Sequence, residues 1–79
     1  MDNDALRLRI RHKLVNGTLP QNSIKWLVRA PSRGHRCDAC ATDIPARQHL
    51  ILGETAHGAE FHFHLQCFDL WVEERQAPN

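Results

Sequence analysis

Three cysteines and a pair of alternating histidines constrain this chain more than any other feature. Cys37 and Cys40 form a Cys-x-x-Cys, and the stretch FHFHLQCF at residues 61–68 carries His64 three residues before Cys67. A Cys-x-x-Cys places two sulfurs on one tight turn, so both can reach one tetrahedral ion. Residues i and i+3 share a helix face, which brings His64 and Cys67 together in the same way. We therefore predict that Cys37, Cys40, His64 and Cys67 bind one structural Zn²⁺.

His62 is the alternative fourth ligand. It alternates with His64 along a predicted strand, so the two rings would share a face if the strand persisted. To bind the metal, His62 would have to reach round the start of the following helix. We therefore predict that His62 is exposed or lies beside the ligands without binding the metal. The histidines at positions 35, 49 and 57 have no paired ligand nearby and are predicted to face solvent.

The size and cysteine usage of the chain also favour a metal. At 79 residues it is one domain at most, and its core is thin. Small domains of this kind need a metal, a disulfide or a partner, and an odd number of cysteines does not form a closed disulfide framework. The charged stretch MDNDALRLRIRHK is not a signal peptide, and no apolar run approaches the roughly 20 residues that span a bilayer. We expect a cytoplasmic, reducing setting with no membrane partner.

An amphipathic helix is predicted near the N-terminus. Leu6, Ile10 and Leu14 form one apolar stripe with a four-residue spacing. One of three residues can cap the start, Asp2, Asn3 or Asp4, and Asn16-Gly17 can end the helix.

The segment between Pro20 and Pro31 fits either a short helical turn or a strand through residues 24–28. We favour the turn, and we place Trp26 in the core. Residues 47–64 are predicted to form a β-hairpin with Phe61 and Phe63 facing inward. Residues 65–76 are predicted to form a helix. The sequence thus predicts a small zinc-stabilised α+β domain with an N-terminal helix, a zinc knuckle, a hairpin and a C-terminal helix.

The order of these features resembles the treble-clef zinc finger. The residues that carry the resemblance are Cys37-x-x-Cys40, the hairpin, and His64-x-x-Cys67-Phe68 with Trp71 on the last helix. LIM half-sites and the fingers of poly(ADP-ribose) polymerases are similar. The resemblance implies that the first pair forms a zinc knuckle and that the second pair lies at a helix N-terminus. The whole chain also resembles small bacterial proteins with an arginine-rich opening helix. We divide it into a basic N-terminal segment, residues 1–35, and a zinc-finger module, residues 36–79.

Charge is distributed unevenly along the chain. Residues 1–36 hold eight Lys or Arg against two acidic residues, a net charge of +6, whereas residues 37–79 have a net charge of −5. A basic half favours a polyanionic partner, so we predict nucleic-acid binding through phosphate contacts. The residues predicted to make these contacts are Arg7, Arg11, Lys13, Arg29, Arg33 and Arg36.

The alternative function is a protein–protein adaptor built on the same scaffold. We expect no enzymatic activity and no small-molecule substrate, because neither a thioredoxin-like βαβ pattern nor the His-x-Glu and Pro-Cys-x-x-Cys of a zinc deaminase is present. A Cys67–His64 catalytic pair would lack a third group to orient it.

Overall fold

The computed structural model describes residues 3–21 and 23–76. The elements in chain order are α1 (Asn3–Val15), β1 (Ile24–Pro31), β2 (His49–Thr55), β3 (Glu60–His64) and α2 (Leu65–Gln76). The strands form one antiparallel sheet in the order β1-β2-β3. This confirms the predicted α+β class. Neither helix of the described part is long and apolar enough to cross a membrane.

The first helix matches its prediction. Leu6, Ile10 and Leu14 are its buried residues, so the apolar stripe faces the core. The helix ends where expected, since Gly17 adopts a φ of 82°, which favours glycine. The predicted cap cannot be assigned in the same way: Asn3 and Asp4 already lie within the helix, and Asp2 lies outside the described residues.

The segment after Pro20 is a strand, so the favoured helical turn is wrong. β1 pairs with β2 in antiparallel register, with Leu27 opposite Gly53 and Val28 opposite Leu52. Its partner lies more than twenty positions further along the chain, and the local sequence therefore carries little sign of the pairing.

Trp26 is also placed differently from the prediction. It is half-buried on β1, which lies at the edge of the sheet, and it does not belong to the buried cluster. Its indole Nε1 donates a hydrogen bond to Glu54 Oε1 at 2.9 Å. An edge strand has a neighbouring strand on one side only. The side chain of Trp26 is therefore less buried than a core position would make it.

The core forms where α2 crosses the hairpin. The hairpin and the helix over residues 65–76 are confirmed, and Phe61 and Phe63 face inward as predicted. The Trp71 ring has no exposed surface and lies 5.2 Å from the Phe63 ring and 5.9 Å from the Phe61 ring, between centroids. Its Nε1 donates to the Pro20 carbonyl at 2.8 Å. Trp71 therefore connects the hairpin, α2 and the segment that follows α1.

Gly53 allows Phe61 to lie close against β2. A Cβ at this position would meet the Phe61 ring, and Leu27 Cδ2 at 2.8 Å. We expect Gly53→Ala to lower the free energy of unfolding by about 1–3 kcal/mol, the usual cost of overpacking. Urea unfolding of the metal-loaded chain would measure it.

The control for this prediction is the same substitution in a Phe61→Leu background, where the shorter side chain leaves room for the methyl group. The penalty of Gly53→Ala should shrink there, because residues in contact are energetically coupled. Equal penalties in both backgrounds would show that the Phe61 ring is not what requires glycine.

Candidate metal centre

Cys37 and Cys40 lie on a tight turn before β2. The Ala41 N–H donates to the Cys37 carbonyl at 2.9 Å, and the Cys37 N–H donates to the Thr42 carbonyl at 2.9 Å. Ala41 takes a φ of 63°, which turns the chain back on itself. This turn brings both sulfurs to one side, as the Cys-x-x-Cys spacing requires for a common metal.

The second pair meets this turn at the junction of β3 and α2. His64 is the last residue of β3, and Cys67 lies in the first turn of α2. The ligand atoms of Cys37, Cys40, His64 and Cys67 all lie within 4.8 Å of one another. This is the set that the spacing predicted, and it is close enough to hold a metal ion.

The distances within the set suit tetrahedral coordination. His64 Nδ1 lies 3.4 Å from Cys40 Sγ and 3.8 Å from Cys67 Sγ. Bonds of about 2.3 Å to sulfur and 2.0–2.1 Å to nitrogen, at the tetrahedral angle, place the two atoms about 3.6 Å apart. These two nitrogen–sulfur separations are therefore close to those that one ion would need.

The orientation of the His64 ring supports its role as a ligand. Nε2 lies 3.3 Å from the carbonyl oxygen of Asp43. A carbonyl only accepts hydrogen bonds, so Nε2 carries the proton and the Nδ1 lone pair faces the sulfurs. Metal-binding histidines are commonly held by such a bond from their second nitrogen.

His62 lies beside the site and is not part of the group. Its N–H donates to Asp38 Oδ2, and its carbonyl accepts from the Asp38 N–H, so it ties β3 to the cysteine turn. Its ring stacks on that of His35, with the centroids 4.3 Å apart. His35 is half-buried, so the prediction that it faces solvent is wrong, whereas His49 and His57 are exposed as predicted.

The sulfur atoms are buried and electrostatically coupled. A hydrogen bond from the Cys67 thiol lowers the pKa of Cys37 to about 4, against the opposing effect of burial. The pKa of Cys67 is raised, first by the same hydrogen bond and then by burial. The two pKa shifts have opposite signs because the pair keeps one proton between its sulfurs. A second thiolate in this buried group needs a cation to balance its charge.

A hydroxyl group also contacts the sulfurs. Thr42 Oγ1 lies 3.0 Å from Cys40 Sγ, a hydrogen bond in which the hydroxyl donates when the sulfur is a thiolate. Sequence reasoning did not single out Thr42. The only signal for it is a hydroxyl residue two positions after the Cys-x-x-Cys.

Two of the predicted phosphate-binding residues form ion pairs within the chain. Arg7 contacts Glu73 and Glu74 of α2, each at 3.1 Å, and Arg11 contacts Glu74 at 2.7 Å. The Glu74 side chain is only 6% exposed. Its hydrogen bond with Arg11, followed by that with Arg7, lowers the pKa of Glu74. These bonds attach α1 to α2.

Three basic residues, one of them outside the predicted phosphate-binding set, donate to carbonyl oxygens of the cysteine turn. Lys13 Nζ reaches Asp38 O at 2.8 Å and Ala39 O at 3.0 Å. Arg9 Nη1 reaches Cys40 O at 3.3 Å, and Arg36 Nε reaches Ala41 O at 2.9 Å. Lys13 therefore acts together with Arg9 at this turn. The spacing of four residues between Arg9 and Lys13 was the available signal.

The last two predicted phosphate contacts, Arg29 and Arg33, lie elsewhere. Arg29 on β1 donates from Nε to His49 Nδ1 at 3.1 Å. Arg33 is exposed in the loop that follows β1. Of the six predicted residues, all but Arg33 thus donate side-chain hydrogen bonds to groups of the chain itself, so their positions lend no support to nucleic-acid binding.

The fold and the site together define a small α+β chain in which three buried cysteines and the half-buried His64 lie close enough to hold a metal ion. No protein-family model, no curated protein and no solved structure matches this chain. The site geometry therefore carries the functional argument.

Proposed function

We propose that this chain is a non-enzymatic zinc-binding module in which one Zn²⁺ is structural. The observation that carries the proposal is that Cys37, Cys40, His64 and Cys67 offer four donor atoms within 4.8 Å of one another. Four protein donors fill a tetrahedral coordination sphere. Catalytic zinc sites instead have three protein ligands and leave one position for water or substrate.

The donor set favours zinc over other divalent ions. Thiolate and imidazole ligands in tetrahedral geometry suit Zn²⁺, whereas Mg²⁺ and Ca²⁺ require oxygen ligands. Three thiolates and a neutral imidazole would leave the zinc unit with a net charge of −1. Lys13, Arg9 and Arg36, which donate to the carbonyls of the cysteine turn, bring positive charge to the same turn.

The arrangement of elements is consistent with a treble-clef finger. A turn that bears two cysteines precedes the β2–β3 hairpin, and the second ligand pair, His64 and Cys67, lies at the start of the following helix. β1 adds a third strand to this arrangement. We propose that the chain is a zinc finger of this type, with α1 packed against it.

A protein-binding adaptor is the second candidate function. It is favoured by β1, which lies at the sheet edge with Leu27 and Val28 40% and 46% exposed. An edge strand can pair with a partner strand. Nucleic-acid binding has no comparable observation in its favour.

The assignment of the fourth ligand provides the test. We expect His64→Ala to weaken zinc binding by more than about 100-fold, because it removes a ligand, whereas losing a neighbour of the ligands typically costs 10–100-fold at most. The matched control is His62→Ala, which should keep one zinc per chain. Competition with a chromophoric chelator would measure both affinities.

Cobalt substitution adds a readout that does not depend on stability. The Co²⁺ spectrum of the parent and of His62→Ala should report three sulfurs and one nitrogen, and that of His64→Ala should change. If His62→Ala loses the metal and His64→Ala keeps it, His62 is the fourth ligand and our assignment is wrong. If neither the parent nor the control binds zinc, the proposed function fails.

A further inference from the structure

A cavity of about 630 Å³ opens beside the metal ligands, where α2 begins. Cys40, His64 and Cys67 form part of its wall, so some of this volume is the space that a metal takes. The rest of the wall is mainly polar, with Thr42, Arg29, Arg47, Gln48, His49 and Gln66 as its polar side chains. A cavity of this size falls within the range of small-molecule sites, about 300–1,000 Å³.

Among the described residues, the wall of the cavity carries two arginines and no carboxylate. Arg29 and Arg47 both line it, and none of the described residues that line it is acidic. Within residues 3–21 and 23–76, no ion pair involves either arginine. Arg7 and Arg11, in contrast, form ion pairs with the carboxylates of α2. Both arginines are exposed, so an anion that entered the cavity from solvent would meet two positive charges.

Other groups in the wall suit an anion as well. The Arg29 Nε donates to His49 Nδ1, which holds the guanidinium in place and leaves its terminal N–H groups to contact a ligand. Leu65 and Gln66 bring the N-terminus of α2 to the cavity, and the first turn of this helix holds no acidic residue. The positive end of the helix dipole adds to the charge of the arginines.

Arg47 stands in a backbone conformation that favours glycine. Its φ is 77°, and its N–H donates to the Ser32 carbonyl at 3.0 Å, which holds this conformation in place. An arginine here costs backbone energy that glycine would not cost. Its side chain has no hydrogen-bond partner among the described residues, so nothing within the described part of the chain uses the charge.

From these observations we infer that the cavity binds the phosphate group of a small phosphate monoester, with Arg29 and Arg47 as its cationic contacts. A guanidinium presents a fork of N–H groups that matches two phosphate oxygens. A dianionic phosphate balances the two positive charges, while the side-chain amides of Gln48 and Gln66 supply uncharged N–H donors. The sequence alone predicted no small-molecule ligand. The inference goes beyond the proposed zinc function, because neither arginine is a metal ligand, although the cavity shares Cys40, His64 and Cys67 with the metal site.

The two arginines have one competing explanation, which is that they only offset the negative charge of the zinc unit. Under that explanation, removing Arg47 would weaken zinc binding, and added phosphate would not bind to the cavity. The test therefore uses the full chain with its zinc content measured, so a failure of zinc binding is seen before any phosphate is added.

The experiment is a titration of amide chemical shifts with three probes at constant ionic strength. Inorganic phosphate and glycerol 3-phosphate should shift signals of residues in the cavity wall in a saturable way. Dimethyl phosphate, a diester with a single charge, should bind at least about tenfold more weakly, since a lost charged hydrogen bond costs about that factor.

Arg47→Gly is the informative variant, because it removes the charge and relieves the backbone at once. We expect its melting temperature to be no lower than that of the parent and its phosphate affinity to fall about tenfold or more. The matched control is Arg33→Gly, which removes an exposed arginine outside the cavity and should keep phosphate binding. Arg29→Gln should weaken binding to a similar degree.

Several results would overturn the inference. The first is that phosphate causes no saturable chemical-shift changes in the zinc-loaded protein. The second is that Arg47→Gly binds phosphate as tightly as the parent does. The third is that Arg47→Gly weakens zinc binding and has no other effect. Dimethyl phosphate binding as tightly as inorganic phosphate would also overturn it, because the cavity would then recognise a backbone-type diester. Binding of inorganic phosphate with exclusion of glycerol 3-phosphate would rule out a monoester.

Discussion

A strong chelator is expected to unfold this chain. Binding of structural zinc in finger-sized peptides contributes about 10–16 kcal/mol of apparent free energy, whereas the whole stability of a typical domain is about 5–15 kcal/mol. All three cysteines belong to the buried cluster, so without the metal the core would contain a group of thiols around an empty centre. The remaining apolar core of a 79-residue chain is too small to compensate for that loss.

Circular dichroism and amide chemical shifts would follow this loss of structure. The dispersed signals of residues 37–76 should collapse as the chelator removes the metal, and one equivalent of Zn²⁺ should restore them. The control is the same chelator saturated with zinc beforehand, which should change nothing. A chain that stays folded at zero measured metal would require a core that is stable by itself, and the zinc proposal would fall.

Replacing Trp71 should have the second largest effect. Its ring is fully buried and lies within 6 Å, between centroids, of the rings of Phe61, Phe63 and Phe68. The guanidinium of Arg75 lies 4.6 Å above it. We expect Trp71→Ala to lower the free energy of unfolding by about 3–5 kcal/mol, which combines the lost burial with the cavity that remains. Urea unfolding of the zinc-loaded chain would measure it.

Trp26 provides a matched control for this substitution. It is the same residue type, but it is half-buried on the edge strand, where its indole N–H donates to Glu54. Trp26→Ala should cost about 1 kcal/mol, close to the value of one hydrogen bond. Equal losses for the two substitutions would contradict the placement of the core between α2 and the hairpin.

Features that depend on local spacing were predictable from the sequence. Two three-residue spacings identified the four residues that the fold brings within reach of one metal ion, and the four-residue stripe on α1 identified its buried side. The alternation of Phe61 and Phe63 likewise identified the inner face of the hairpin. In each case the geometry of one element decides which side chains point together.

Features that depend on distant partners were not predictable in this way. β1 exists because it pairs with β2, and no signal within residues 24–31 indicates that partner. The contact between Lys13 and the cysteine turn depends on how α1 lies across the chain, which the helical period does not specify. Similarly, Arg29 and Arg47 belong to separate elements, and only the folded chain brings them to one cavity.

The hydrogen bonds from Arg9 and Lys13 to the cysteine turn have a consequence for how the chain responds to other molecules. They couple the position of α1 to the occupancy of the metal site, and such a coupling is reciprocal. On the proposed zinc function, zinc release would loosen this attachment of α1 and leave its ion pairs with Glu73 and Glu74 to keep Leu6, Ile10 and Leu14 covered. By the same linkage, a molecule that binds α1 only when it is detached would lower the zinc affinity. Zinc would lower the affinity of that molecule by the same factor.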